Sequence, residues 1–431
     1  MYTYTEAEKY ILEIPKFAGK STLADTKRLL EKITGGINSK VIHIAGTNGK
    51  GSVCAYLRSI LMAGGCSVGT FISPHLETMR ERISLGMEMI SEEEFVEIFE
   101  QVLEVVLDEE QHPSFFEFLF LMAMCFFYRK EPEYIILETG LGGRLDATNC
   151  LETPSLCVIT EIGYDHMQYL GDTLQEIAAE KAGIIKPGVP VVMLDKRPEI
   201  TRILKDFAKK VKSSATVLKK EDILHVNIDN KTIDFSLQSS YYNYITLSLN
   251  TQAVYQIENA ALAVKAAELL QDERIIPEVI KEGIRSASWP GRMEEILPGI
   301  YLDGAHNEDG IEAFLETAER IACSGRRLLL FGVVADKRYP EMIRRIAESN
   351  LFTKAAVTLL ESDRSASLDK LREIWGQYNS NICCSFHENT EEAYAYLISD
   401  REDNDLIYIA GSLYLVGQIK TLVRREPDDR F

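Results

Sequence analysis

Three glycines, a lysine and two hydroxyls are packed into Gly46-Thr47-Asn48-Gly49-Lys50-Gly51-Ser52, directly after the apolar run 41–45. Glycines let backbone N–H groups approach an anion's oxygens, a lysine neutralises β- and γ-phosphate charge, and a hydroxyl can reach Mg²⁺. The spacing of Val53, Leu57, Ile60 and Leu61 then opens a helix, so strand, turn and helix follow in the order a triphosphate needs. The string departs from G-x-x-x-x-G-K-[ST]: Ile44 replaces the first glycine, and Gly51 separates Lys50 from Ser52. A plain strand–helix turn that happens to hold Gly and Lys is the competing reading. The strand–loop–helix setting favours a nucleotide.

Other residues of chemical interest sit at strand ends. Glu138 closes the apolar run 134–138 just before a glycine-rich turn, where a carboxylate meets the crevice outside a sheet. Its bland alternative is a solvated strand-end acid. His166 follows the run 156–160 and, taken alone, reads more readily as an ordinary loop histidine. Ser73 precedes Pro74, a common turn start. Lys181 lies in a helical pattern, where an exposed lysine is ordinary. Phe115, Phe116, Phe118 and Phe120 are dense enough to read as core. No nucleophile–base pair stands out, which suits phosphoryl transfer, a reaction of positioning and charge neutralisation.

The elements that must hold these residues are legible as short β-branched runs alternating with amphipathic helical patterns, the mark of a parallel sheet covered by helices. Strands are expected at 41–45, 134–138, 156–160 and 189–194, and helices around 53–61, 177–184 and 258–270. Polar–apolar alternation over 222–250 predicts a small antiparallel addition to the first domain. The pattern breaks at Trp289-Pro290-Gly291-Arg292. A second series follows, with strands at 300–302, 328–333, 355–359, 382–386 and 406–409. The expected division is an N-terminal ATP-binding domain, 1–296, and a smaller Rossmann-like α/β domain, 297–431, with a mobile polar tail at 424–431.

Composition narrows the function classes. The 431 residues carry a formal charge of −19, are 46% hydrophobic and 26% charged, and so form an ordinary globular chain. The acidic excess argues against duplex nucleic acid or an anionic membrane as partner. Eight cysteines without a C-x-x-C pair, and no secretory h-region, point to a reduced cytoplasm. The apolar run 115–128 carries Glu117 and falls short of the ~20 residues of a membrane span.

The strings Ser73-Pro74-His75-Leu76, Glu81-Arg82-Ile83, Phe116-Glu117, Leu137 to Asn149, Asp165-His166, Glu180 to Ile184, Trp289 to Arg292, Asp303-Gly304-Ala305-His306-Asn307 and Gly411 to Val416 follow the phosphate-type loop in order. With that loop, the chain resembles the ATP-dependent Mur ligase superfamily, specifically bacterial folylpolyglutamate synthase/dihydrofolate synthase. Phe120, and Val254-Tyr255-Gln256 in place of a common His-Gln, depart from the pattern. The resemblance implies an ATP-dependent amide ligase that adds L-glutamate to the γ-carboxylate of reduced folate through an acyl phosphate. The alternatives are dihydropteroate as acceptor, a cell-wall Mur ligase, or an inactive nucleotide-binding module.

It implies Gly46, Thr47, Asn48, Gly49, Lys50, Gly51 and Ser52 on the phosphates, Asn259 on adenine, Arg292 on phosphate across the cleft, and Asp303 and His306 on ribose and γ-phosphate. Lys50, Lys181, His166 and His306 are implied as catalytic, with Lys181 often carbamylated. Mg²⁺ or Mn²⁺ would be held by Ser73, Glu138 and His166, with Ser52 on the ATP-side ion and K⁺ as a further cation. Ser73 and Arg82 would face the folate, with Asn149 supporting that region. A monomer is expected.

Overall fold

The computed structural model describes residues 2–15, 22–229, 231–239, 243–362, 364–378 and 381–425; the end of the expected tail, 426–431, lies outside the described residues. Eight strands form the first sheet: β1 Lys40–Ala45, β2 Val68–Phe71, β3 Ile83–Leu85, β4 Glu88–Met89, β5 Tyr134–Glu138, β6 Leu156–Ile159, β7 Val191–Leu194 and β8 Ala215–Leu218. Their order is β4-β3-β2-β5-β1-β6-β7-β8. From β2 to β8 across the sheet neighbours run parallel, while β3 and β4 fold back as an antiparallel edge.

Side chains of β1 alternate between faces, as a strand buried on both sides must. Ile42 and Ile44 pack with the helices Lys50–Ala63, Gln256–Leu269 and Pro277–Ser286, while Val41 joins the opposite core. That opposite core is filled by the helix Phe115–Lys130, apolar all round and started by a Ser114–Glu117 capping box. The strands β9 Ile223–Ile228, β10 Ile233–Gln238 and β11 Tyr244–Leu249 form a separate antiparallel sheet. Ile233, Phe235, Leu237 and Leu247 carry it into the first core, as the alternating pattern predicts.

The second sheet contains β12 Arg292–Leu297, β13 Ile300–Asp303, β14 Arg327–Phe331, β15 Lys354–Thr358, β16 Cys383–His387 and β17 Leu406–Ala410, in the order β12-β13-β17-β14-β15-β16. Apart from the antiparallel β12–β13 pair, its neighbours are parallel. A division at 296/297 would cut β12, whose residues pair with β13 from Arg292 onward. The sequence hides this because the hairpin turn at Pro298-Gly299 looks like the start of the series rather than its first turn. No helix among the described residues is long and apolar enough to cross a membrane.

Phe120, one of the departures from the family pattern, is fully buried between sheet and helices, and its ring lies 5.9 Å from that of Phe71. Truncating such a ring removes transfer energy and leaves a cavity, so Phe120→Ala should destabilise the chain by about 3–5 kcal/mol. A denaturant titration of the two chains, followed by tryptophan fluorescence and circular dichroism, checks it. A cost below about 1 kcal/mol would contradict this packing.

Candidate active site

Both sheets present the C-terminal ends of their parallel strands to one cleft of about 1120 Å³. This is where open α/β sheets bind ligands, because loops leaving adjacent strands diverge there. The walls come from the turns after β1, β2, β5 and β6 on one side, and from those after β13, β14 and β17 on the other.

The turn after β1 has a backbone that demands glycine. Gly49 is left-handed, with φ 85°, and a Cβ there would fall on Asn259 Oδ1. Gly49 caps the helix Lys50–Ala63 without any side-chain bond, so the first amides of that helix are left for another acceptor. Thr160 Oγ1 donates to Asn48 O at 2.6 Å, and Thr47 N donates to Glu161 O at 2.7 Å, fixing the turn against the end of β6. Lys50 Nζ folds back onto Gly46 O and Thr47 O, at 3.1 and 3.2 Å.

Lys181 reaches the same carbonyl. Its helix, Leu174–Ala182, buries Ile177, Ala178, Lys181 and Ala182 on one face, so the lysine is turned inward. It is 4% exposed and donates from Nζ to Gly46 O at 2.7 Å. Burial, reinforced by the nearby Lys50 charge, pulls this amine down to about 7. The exposed-lysine reading is thus excluded.

Glu138, 4% exposed, accepts from Ser73 N at 3.1 Å on Oε2, and its Oε1 lies 3.9 Å from Lys50 Nζ. Burial raises its pKa, with Lys50 opposing. A buried carboxylate with open acceptor capacity, beside a serine and a neutral imidazole in the same cleft wall, suits a hard divalent cation. Among the described residues no group of three or more His, Cys, Asp or Glu side chains could hold an ion by itself. Mg²⁺ tolerates this, since it keeps several waters and takes substrate phosphate oxygens as ligands.

His166 adopts a left-handed backbone, φ 50°, before the short helix Met167–Leu170. Burial first, then the Lys337 charge, lowers it to about 4, so its imidazole is neutral at pH 7. His306 Nδ1 contacts Gly304 O at 2.7 Å, and burial lowers its pKa too. Between the two histidines lies Asp165, whose carboxylate receives Lys337 Nζ at 2.5 Å and stands 3.7 Å from His306 Nε2. Although burial opposes ionisation, Lys337 holds Asp165 well below the ordinary aspartate range.

Across the cleft, Asp303 is 3% exposed and accepts from Tyr255 OH, Met293 N and Ala305 N. Arg292 lines the cleft beside it. Asn259 donates to Gln256 Oε1 at 3.1 Å, and Gln256 Nε2 donates to Ser52 Oγ at 3.1 Å. Asn307 Nδ2 bonds Asn48 Oδ1 at 2.9 Å, tying the second sheet to the glycine turn.

Arg82 is buried in the same cleft, donating from Nε to His75 Nδ1 at 2.9 Å with its guanidinium 5.3 Å from the Phe115 ring. Burial depresses it to about 10. Phe115 and Phe116 therefore correct the core reading: they line the cleft, while Phe118 and Phe120 are core. The first helical turn faces the cleft, which apolar density does not disclose. Asn149 does not line the cleft; its Nδ2 donates to Arg144 O and Gly183 O, bracing the turn behind it.

All the expected nucleotide, metal and catalytic residues thus line this cleft. Sequence reasoning missed Lys337, Tyr255, Gln256 and Asn307. Lys337 could have been found as a cation in the turn after β14. Asn307 ends the string Asp303-Gly304-Ala305-His306-Asn307, and Gln256 lies three residues before Asn259.

Comparison with known proteins agrees with this geometry. The model of the Mur ligase middle domain matches residues 44–267, and that of the Mur ligase glutamate ligase domain matches 291–413. Dihydrofolate synthase/folylpolyglutamate synthase of Bacillus subtilis is 36% identical over 97% of this chain and 99% of its own length. Folylpolyglutamate synthase of Lacticaseibacillus casei is 29% identical, over 97% and 98%. The structure of E. coli FolC in complex with DHPP and ADP superimposes with a TM-score of 0.86 at 26% identity, covering 99% of each chain.

Removing one partner of a buried pair strands the other, so Asp165→Asn, facing a Lys337 whose side chain is 8% exposed, should cost about 3 kcal/mol. Because the folded pKa of Asp165 is depressed, this stability is full above the ordinary aspartate value of about 4 and is lost as pH falls below it. Asp165→Asn, Lys337→Met and the double variant, compared by denaturation at pH 7, check the coupling; additive losses would refute it. The shared cleft, the matched domains and the full-length relatives lead to one assignment: the chain belongs to the Mur ligase family, in its dihydrofolate synthase/folylpolyglutamate synthase group.

Proposed function

We propose that this chain joins L-glutamate to the γ-carboxylate of a reduced folate, using ATP to form an acyl phosphate and releasing ADP and phosphate. The carrying observation is the convergence of Lys50, Lys181 and Glu138 around the turn after β1, facing residues of the second sheet. A carboxylate does not react with an amine until it is activated, and phosphorylation needs charge neutralisation more than a protein nucleophile.

In this reading the amides from Gly46 to Ser52 and the Lys50 ammonium hold the β- and γ-phosphates. Asn259 faces adenine, Asp303 the ribose, and Arg292 and His306 the phosphates from the opposite wall. Ser73, Glu138 and the neutral His166 would hold Mg²⁺, with Ser52 nearest the ATP-side ion. The metal supplies Lewis-acid neutralisation of phosphate oxygens. Arg82 and Ser73 receive the folate, with Phe115 and Phe116 offering it an apolar wall. The domain division falls at 287–291, ahead of β12.

Dihydropteroate is a second acceptor in this reading, favoured by the double name of the Bacillus subtilis relative and by DHPP in the E. coli FolC structure. ADP release with Mg-ATP and glutamate, comparing tetrahydrofolate, dihydropteroate and no acceptor, tests both. Absence of acceptor-dependent ADP release overturns the proposal. Lys50→Ala should lower turnover about 10²-fold or more, as loss of a preorganised positive group does.

Lys181 is the proposed carbamylation site. Its neutral amine attacks CO₂, forming an N–C bond and releasing one proton, and the resulting anion can orient the metal or Lys50. Since burial pulls this amine down to about 7, the reactive neutral fraction should rise as pH is raised from 6 to 8. A carbamate signal in ¹³C NMR with labelled bicarbonate should grow over that range and vanish in Lys181→Arg. A signal absent at pH 8 would exclude the modification.

A further inference from the structure

The helix Gln256–Leu269 starts between the two walls of the cleft. Just before it, Ala253 is buried in a core of the second sheet, Tyr255 packs on that core, and Val254 N donates to Thr317 Oγ1 at 3.3 Å. One residue later, Gln256 Nε2 bonds Ser52 in the helix that follows the glycine turn. Consecutive side chains are therefore tied to opposite walls.

Tyr255 has no part in the chemistry set out above, and it falls where the sequence departs from the family pattern. Its hydroxyl donates to Asp303 Oδ2 at 2.6 Å, and Met293 N donates to the same oxygen at 3.1 Å. Ala305 N donates to Oδ1 at 2.8 Å. An ionised carboxylate offers about four acceptor positions, two on each oxygen. Oδ2 is thus filled and Oδ1 retains one position; among the described residues no further hydrogen bond reaches it. Both side chains line the cleft.

We propose that Tyr255 is a nucleotide-positioning residue: by filling Asp303 Oδ2 it leaves the carboxylate one acceptor position, so Asp303 reads a single ribose hydroxyl. This rests on the assignment of Asp303 to the ribose in the function proposed above. Two vicinal hydroxyls can share a carboxylate, one on each oxygen. The Tyr255 hydroxyl removes that option and also fixes the plane of the carboxylate.

The test titrates the full chain calorimetrically with ADP, 2′-deoxy-ADP and 3′-deoxy-ADP, and measures KM and kcat for the three triphosphates by ADP release. Loss of the hydroxyl that Asp303 reads should weaken binding about tenfold, and loss of the other less than about twofold. In Tyr255→Phe the two deoxynucleotides should converge to within about threefold of each other, with KM for ATP raised several-fold and kcat changed by less than about twofold. Equal weakening by both deoxynucleotides in the unaltered chain overturns the proposal, and this arm needs no variant to fold. Tyr255→Phe that keeps the original ratio while losing thermal stability also overturns it, leaving Tyr255 as a tie between domains. If ADP does not bind at all, the nucleotide reading falls and this proposal with it; ADP binding with equal losses removes this proposal alone.

Discussion

One backbone carbonyl, that of Gly46, accepts hydrogen bonds from two lysines, Lys50 and Lys181. Two ammonium groups on one dipole, one of them buried, cannot both hold their protons at ordinary affinity. Lys181 yields, because its helix buries it on the inward face, and among the described residues no carboxylate forms an ion pair with it. The turn after β1 must therefore keep the shape that aims this carbonyl at both amines. Gly46 keeps it by passing so close to Thr160 that a Cβ would occupy the Oγ1 position. The lysine proposed for carbamylation and the lysine proposed to meet the phosphates thus share a single local geometry.

The two sheets are joined at that turn and at its neighbours around the cleft. Asn307 bonds Asn48, Lys337 pairs with Asp165, Arg197 pairs with Asp309, and Tyr255 bonds Asp303. The first three cross the cleft and the fourth anchors the start of the helix Gln256–Leu269 to the second sheet. Each uses a polar group in a turn after a strand or near the start of a helix. Apolar packing holds each sheet to its own helices, as the separate cores show. The contact between sheets is largely polar, the composition expected of an interface that opens and closes around substrates.

Most of the framework is legible in the sequence because it is local. Apolar runs mark β1, β5, β6 and β17 within a residue or two, and alternation marks β10 and β11. The glycine turn and Glu138 announce themselves by type and position. What escapes is what depends on distant partners. Lys337 is separated from Asp165 by 172 residues and Asn307 from Asn48 by 259, so no periodicity relates them. Phe115 and Phe116 were indistinguishable from Phe118 and Phe120, because a helix that is apolar all round carries no sign of where its first turn leaves the core.

The net charge of −19 gives the wrong sign for the proposed ligands, which are themselves anionic. The cleft resolves this through pairing. Lys337, Arg197 and Arg364 are met by carboxylates at short range, so their charges are largely cancelled. Lys50 is met by backbone carbonyls, with Glu138 only at 3.9 Å, and Arg82 by a neutral histidine whose burial holds it near 3. These two cations keep their field, one at the glycine turn and one near Phe115. Short-range pairing inside a low-dielectric cleft outweighs surface charge spread beyond a Debye length. An acidic protein can therefore hold a phosphate end and a carboxylate end of separate substrates, provided its uncancelled cations stand where Lys50 and Arg82 do.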